Sequence, residues 1–115
     1  MNIQIIKQKI SKAALATIAK EQFGDFVKAV VDAELGVMAI GGELHADEEA
    51  VLLEQGSRQQ DLWGINLYPE MPTEEWIEFD SLINVRPSQG NRLRNVESPD
   101  MRKKIRAVVQ TLVSG

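Results

Sequence analysis

Alternating hydrophobic and polar residues predict β-strands along much of the chain, because successive side chains of a strand point to opposite faces. The predicted strands are residues 3–6, 26–34, 37–45, 63–69 and 76–85. Leu35-Gly36 joins two of them and predicts a hairpin, with a helix over residues 25–33 as the competing interpretation. Residues 70–75 form a turn between the last two strands, which should therefore run antiparallel.

Apolar residues spaced three or four positions apart predict three helices. Ser11 is placed to cap the first helix and Asp47 to cap the second. Ser98, followed by a proline, predicts the start of the third. Gly24 and Gly56 mark the C-terminal ends of the first two. The third helix has a continuous apolar face, made of Met101, Ile105, Val108, Val109 and Leu112.

The resulting element order is β-α-β-β-α-β-β-α, in which hairpins dominate. This order predicts a single α+β domain over residues 1–115: a mainly antiparallel sheet of about five strands with the helices on one face. The opposite face would then carry Asn66, Glu78 and Asp80 toward solvent or a partner. Gly41-Gly42, inside a predicted strand, indicates a bulge or a close approach of two backbones.

Composition narrows the chemistry that the chain can perform. None of the 115 residues is cysteine, which excludes disulfides, zinc sites built from thiolates and cysteine nucleophiles. The apolar runs are shorter than the roughly 20 residues that span a membrane, and the N-terminus does not resemble a signal peptide. We therefore expect a cytoplasmic protein that does not associate with a membrane.

Charge is distributed unevenly along the chain, whose formal net charge is -4. Residues 1–83 carry 15 acidic and 6 basic side chains, whereas residues 84–115 carry 2 acidic and 7 basic ones. Either the two surfaces face each other, within one molecule or across a symmetric homodimer, or the basic end binds an anion. The acidic pI of about 5.0 and the few aromatic residues near the basic segment argue against nucleic acid.

The first candidate for a functional site is Glu43 with His45. These side chains point the same way if residues 37–45 form a strand, and Asp47 lies just beyond them. The pattern suits a carboxylate–imidazole metal site or a general base. The plainer interpretation is a histidine bonded to a nearby carbonyl or carboxylate, so metal binding by His45 stays open.

Two further candidate groups are polar. One lies on the polar side of the last two predicted strands and consists of Asn66, Glu78, Asp80 and Asn84. It suits acid–base chemistry or cation binding, or it is a solvated face. The other precedes the last helix and consists of Arg86, Asn91, Arg92 and Arg94. It suits a phosphate or carboxylate but matches no phosphate-loop motif, and a solvated surface loop is the alternative.

Three blocks of the sequence are distinctive in combination: residues 41–49 (GGELHADEE), 61–69 (DLWGINLYP) and 77–87 (IEFDSLINVRP). Together they resemble a group of short, uncharacterised prokaryotic proteins that share a domain of unknown function. The resemblance spans nearly the whole chain and implies a stand-alone cytoplasmic protein. It carries no established activity, so it assigns no catalytic or binding residue.

We therefore favour a small protein that forms a homodimer and acts by binding, without a cofactor or catalytic activity. The split charge, the predicted bare sheet face and the lack of a convergent catalytic set support this hypothesis. The alternative is a small enzyme, or a module that binds an anion or a metal ion. That alternative would use Glu43, His45 and nearby carboxylates, or the loop of residues 86–94.

Overall fold

The computed structural model describes residues 2–115 and contains a five-stranded antiparallel sheet. The strands are β1 (Gln4–Ile6), β2 (Ile10–Ser11), β3 (Val27–Asp32), β4 (Val37–Ile40), β5 (Leu62–Leu67), β6 (Ile77–Glu78) and β7 (Val113–Ser114). The helices are α1 (Lys12–Glu21), α2 (His45–Glu54) and α3 (Pro99–Leu112). The sheet has the order β1-β4-β3-β5-β6, while β2 and β7 form a separate parallel pair. The predicted α+β class and antiparallel sheet are confirmed.

β3 and β4 form the predicted hairpin, with residues 33–36 as its turn. Asp32 holds this turn, because its Oδ1 accepts hydrogen bonds from the amides of Glu34 and Leu35 at 2.9 and 2.8 Å. Gly36 has a φ of 72°, a left-handed conformation that favours glycine. The competing helix over residues 25–33 is wrong.

The helices cover both faces of the sheet, so the prediction that they share one face is wrong. Leu15 of α1 and Ile105 of α3 belong to the main apolar cluster on one face. On the other face, a smaller cluster consists of Val30, Ala39, Leu52 and Leu62, with Leu52 supplied by α2. The reason lies in β3, whose Ala29-Val30-Val31 run is apolar on both sides and therefore needs cover on both.

Serine side chains cap two helices as predicted. Ser11 and Ser98 accept hydrogen bonds from the amides three positions later, in α1 and α3, at 3.0 and 3.1 Å. The prediction for Asp47 is wrong, since α2 already begins at His45. Its N-cap residue, Leu44, offers no side-chain hydrogen bond, so the N-terminus of α2 is uncapped. In this described part of the chain, no helix has the length and apolar character that crossing a membrane requires.

β4 ends at Ile40 because Gly41, with a φ of 90°, turns the chain out of the sheet. At this point a Cβ on Gly41 would lie 2.4 Å from the carbonyl oxygen of Asn2. The predicted close approach of two backbones is therefore confirmed. The strand predicted beyond Ile40 is wrong, and Glu43 and His45 do not share a strand face.

β6 is far shorter than the strand predicted over residues 76–85. Ser81 ends the alternation, because its Oγ accepts a hydrogen bond from the amide of Ile83 and starts a 3-10 turn at Leu82–Asn84. Ile83 then packs against the apolar cluster beneath α2. The segment that follows β6 therefore lies beside α2 on the same face of the sheet.

Replacing Gly41 with alanine is expected to lower the free energy of unfolding by about 2–4 kcal/mol, because a strained φ and a backbone clash add together. Gly56→Ala is the matched control: Gly56 also has a positive φ, 102°, but a Cβ there would meet nothing within 4 Å. Urea denaturation should show a loss of about 1 kcal/mol for this control. Equal losses of unfolding free energy in the two variants would mean that the close approach of Gly41 to Asn2 does not affect the stability of the alanine variant.

Candidate functional site

A row of polar side chains crosses the sheet beside the N-terminal end of α2. Lys28 of β3 lies opposite Asn66 of β5, and Asn66 lies opposite Glu78 of β6. Because side chains alternate along a strand, these three share the face of Val30, which is the face that α2 covers. The row of polar side chains therefore lies on the face of the sheet that α2 covers, next to the N-terminal end of that helix.

His45, the first residue of α2, reaches down to β5. Its Nε2 lies 2.8 Å from the carbonyl oxygen of Ile65. Burial lowers the pKa of His45 below its ordinary value of 6.5; the Ile65 carbonyl opposes this, and the charge of Lys28 adds to it. The ring is therefore neutral at physiological pH. Since a carbonyl only accepts, Nε2 carries the hydrogen and Nδ1 presents a lone pair.

Asn66 connects the middle of the row to its edge and is only 7% exposed. Its Nδ2 donates to Oε1 of Glu78 at 2.8 Å, and the hydroxyl of Tyr68 donates to the same oxygen at 3.2 Å. Burial and the charge of Glu78 raise the pKa of Tyr68, so the phenol keeps its hydrogen. No described donor bonds to Oδ1 of Asn66, which leaves a buried acceptor in this region.

Arg94 and Asp80 close the side opposite α2. Arg94 Nε donates to Asp80 Oδ1 at 2.8 Å, in an ion pair whose side chains are 56% and 44% exposed. Between this pair and α2 lies a cleft of about 260 Å³. Its lining consists of Lys28, Leu44, His45, Ala46, Ser81, Leu82, Ile83 and Arg94.

The cleft combines positive charge with apolar walls. Lys28 and Arg94 contribute cationic groups, and the uncapped N-terminus of α2 contributes the positive end of a helix dipole. Leu44 and Leu82 flank these groups and are 56% and 70% exposed. An amphipathic anion matches this combination of surfaces.

The structure brings members of all three predicted groups to this cleft or next to it. His45 from the first group and Arg94 from the third line the cleft. Asn66, Glu78 and Asp80 from the second group lie next to it, bonded to one another or to Arg94. Lys28 was not among the predicted residues. The signal for it is a lysine between two apolar residues, Val27 and Ala29, of the central strand β3, which places a charge where burial disfavours it.

Glu43 contributes only its backbone to the cleft. Its carbonyl oxygen accepts a hydrogen bond from Lys28 Nζ at 2.9 Å, while the residue borders two neighbouring depressions with Gln22. Among residues 2–115, no three histidine, aspartate or glutamate side chains lie close enough to hold a metal ion. The geometry therefore offers no support for the carboxylate–imidazole metal site.

Asn84 and Asn91 are buried and organise the segment after β6. Asn84 bonds to both the amide and the carbonyl of Gly64, at 2.8 and 2.9 Å. Asn91 Nδ2 donates to the carbonyls of Asn84, Leu93 and Asn95 at 2.7–2.9 Å. Both side chains are fully engaged with backbone groups of the protein.

Arg86 and Arg92 also lie outside the cleft. Arg86 donates to the carbonyls of Ile83 and Leu62 and pairs with Glu49 at 3.4 Å, so it fastens the segment after β6 to β5 and α2. Burial lowers its pKa, and the Glu49 carboxylate opposes that shift. Arg92 is exposed and its backbone amide bonds to Glu97. Of the four predicted loop residues, only Arg94 borders the cleft.

Fold and site together define an α+β protein with a cationic cleft where α2 begins. The chain belongs to a family described as "Protein of unknown function (DUF5674)", whose model matches residues 4–112. This confirms the resemblance to a domain of unknown function. Comparisons with curated proteins and with solved structures found no match.

Proposed function

We propose that the protein binds a small organic anion with an attached apolar group in this cleft, and releases it unchanged. The observation that carries the proposal is Lys28, which forms no ion pair with any described residue although it lies on a central strand of the sheet. An anionic ligand would supply the missing partner.

Lys28 is held by two partners that carry no negative charge. It is half-buried; its Nζ donates to the carbonyl oxygen of Glu43 at 2.9 Å, in a bond at the surface, and lies 5.0 Å from the centre of the Phe23 ring. Neither partner is the acidic group that normally accompanies a lysine on a central strand. A cation held this way, with donors to spare, is suited to receiving an anion from solution.

The N-terminus of α2 adds to the attraction. The amides of His45 and Ala46 have no partner within the helix, and no side chain caps this end. Glu48 adds little negative charge here, because burial raises its pKa to about 9 and keeps it protonated. Of the acidic residues in the first turn, only Asp47 opposes an anion.

Replacing Lys28 with alanine is expected to weaken the binding of hexanoate, used as a probe, by about tenfold, which corresponds to one charge-assisted hydrogen bond. Lys20→Ala, on the exposed surface of α1, removes the same charge elsewhere and should leave the affinity unchanged. Isothermal titration calorimetry measures both. Unchanged affinity of the Lys28 variant, or equal binding of hexanol by the native protein, would refute the proposal.

Self-association as a homodimer is a second proposal. It is supported by large apolar side chains exposed around the cleft and on the following segment: Leu44, Leu82, Val85 and Leu93. Sedimentation velocity at high micromolar concentration tests it, and a monomer there would contradict it.

We also propose a cytoplasmic location in a prokaryote, in line with the sequence-based expectation.

A further inference from the structure

The lining of the anion cleft contains His45, which is the only histidine of the chain. Imidazole is the side chain whose charge changes most readily near neutral pH. In the neutral ring the one hydrogen, on Nε2, is donated to the carbonyl oxygen of Ile65 at 2.8 Å. A proton taken up on Nδ1 would therefore add a third positive charge to those of Lys28 and Arg94 in the same lining.

Two acceptors surround this ring, although the neutral ring has one hydrogen to donate. The carbonyl of Ile65 and the side chain of Asn66 both favour the protonated form of His45. Oδ1 of Asn66 is buried and accepts no hydrogen bond from a described residue. A buried acceptor without a donor is costly, and a second hydrogen on the ring reduces that cost. The polar groups around His45 are therefore arranged to stabilise a proton there.

Burial and one neighbouring charge keep this proton off the ring in the absence of a ligand. Burial is the largest cause that lowers the pKa of His45, and the charge of Lys28 on β3 lowers it further. The carboxylate of Asp80, in the segment after β6, opposes both effects. Lys28 is thus the cation that an anion in the cleft would neutralise and also the cation that disfavours protonation of His45.

The other charged groups near the ring do not duplicate the effect of Lys28. Arg94 lines the same cleft and is paired with Asp80, and Glu78 accepts a hydrogen bond from Asn66. β4 and β5 carry no charged residue. On α2 itself the first turn contains two acidic residues, Asp47 and Glu48, and burial raises the pKa of Glu48 to about 9, so that it is protonated at neutral pH.

An anion beside Lys28 cancels the charge that opposes protonation and brings a negative charge of its own to the ring. We propose that binding of the anion is coupled to uptake of one proton by His45, so that the cleft binds its ligand more tightly as the pH falls below neutrality. This inference rests on the function proposed above and adds a regulation of the same site. By linkage, the proton strengthens binding of the anion by the same factor as the anion strengthens binding of the proton.

Isothermal titration calorimetry with hexanesulfonate tests the coupling, because a sulfonate stays ionised at a pH where hexanoate itself takes up protons. The affinity of the native protein should rise about tenfold between about pH 7.5 and about pH 5, the size expected when an opposite charge is placed near a titrating group. Titration in two buffers of different ionisation enthalpy should show net uptake of protons on binding. This second measurement needs no variant.

His45→Gln is neutral at every pH, and its amide keeps a donor for the Ile65 carbonyl, so its affinity for hexanesulfonate should not change with pH. In the free protein, Lys28→Ala should raise the pKa of His45, read from the imidazole NMR signals of this single histidine. Lys20→Ala, on the surface of α1, is the control and should leave that pKa unchanged.

The outcomes separate this inference from the function on which it rests. Failure of hexanesulfonate to bind at any pH would refute the anion cleft, and the coupling with it. Binding without proton uptake, or a dependence on pH that is the same in His45→Gln, would overturn the coupling and leave the anion cleft in place.

Discussion

Asn84→Ala is expected to lower the free energy of unfolding by about 3–5 kcal/mol, because it leaves several buried backbone groups without partners. The Asn84 side chain is fully buried and serves the amide and the carbonyl of Gly64. It also donates to the carbonyl of Arg94 at 3.0 Å. The surroundings of Gly64 are tightly packed, since a Cβ on Gly64 would lie 2.5 Å from the side chain of Ser81.

Asn95→Ala is the control for this experiment, because Asn95 is exposed and its side chain accepts a hydrogen bond from Arg102 at the surface. Urea denaturation should show a loss below about 1 kcal/mol for it. Since Asn84 also fixes the backbone of Arg94, the Asn84 variant should bind hexanoate more weakly. Similar stabilities of the two variants would contradict the role assigned to Asn84.

The stability of the protein should fall as the pH rises from about 4.5 to about 9, through the titration of Glu48. Glu48 is fully buried; its Oε2 accepts a hydrogen bond from the Gly42 amide at 2.9 Å, and no described group bonds to Oε1. Burial raises its pKa from 4.5 to about 9, although the Gly42 amide opposes this. The native protein therefore holds a proton that the unfolded chain releases, so the stabilisation is complete below about pH 4.5 and is lost up to about pH 9.

Glu48→Gln isolates this effect, because glutamine is neutral at every pH. Between about pH 5 and about pH 8 the native protein should lose about 2–4 kcal/mol relative to the variant, with hydration of the carboxylate limiting the loss. The measurement is the difference in unfolding free energy between the two proteins across this range. The contributions of other titrating groups are the same in both proteins and cancel in this difference. A difference that does not change with pH would show that Glu48 is ionised in the native protein.

Local signals in the sequence were sufficient for the helix starts at Ser11 and Ser98 and for the hairpin at Gly36, because short-range hydrogen bonds and backbone conformation determine these features. They failed for α2, where Asp47 has the chemistry of a cap but Glu48 is drawn into the protein by the Gly42 amide. An apolar run such as that of β3 indicates that both faces of the sheet are covered. It does not indicate which helix covers which face.

The composition of the cleft depended on contacts that no local pattern contains. His45 and Arg94 are distant in sequence and meet only because α2 and the segment after β6 lie on the same sheet face. The strand alternation predicted over residues 76–85 failed at Ser81, whose hydroxyl bonds locally to the amide of Ile83. Asn84 and Asn91 have residue types common in binding sites, and only their burial reveals a structural role.

The most direct test of the account is a map of amide NMR shifts during titration of the native protein with hexanoate. The account predicts saturable shifts confined to Lys28, the first turn of α2, Ser81–Ile83 and Arg94. Shifts centred instead on the basic residues of α3, or no shifts at high millimolar hexanoate, would contradict the assignment of the cleft as the site where this protein binds its ligand.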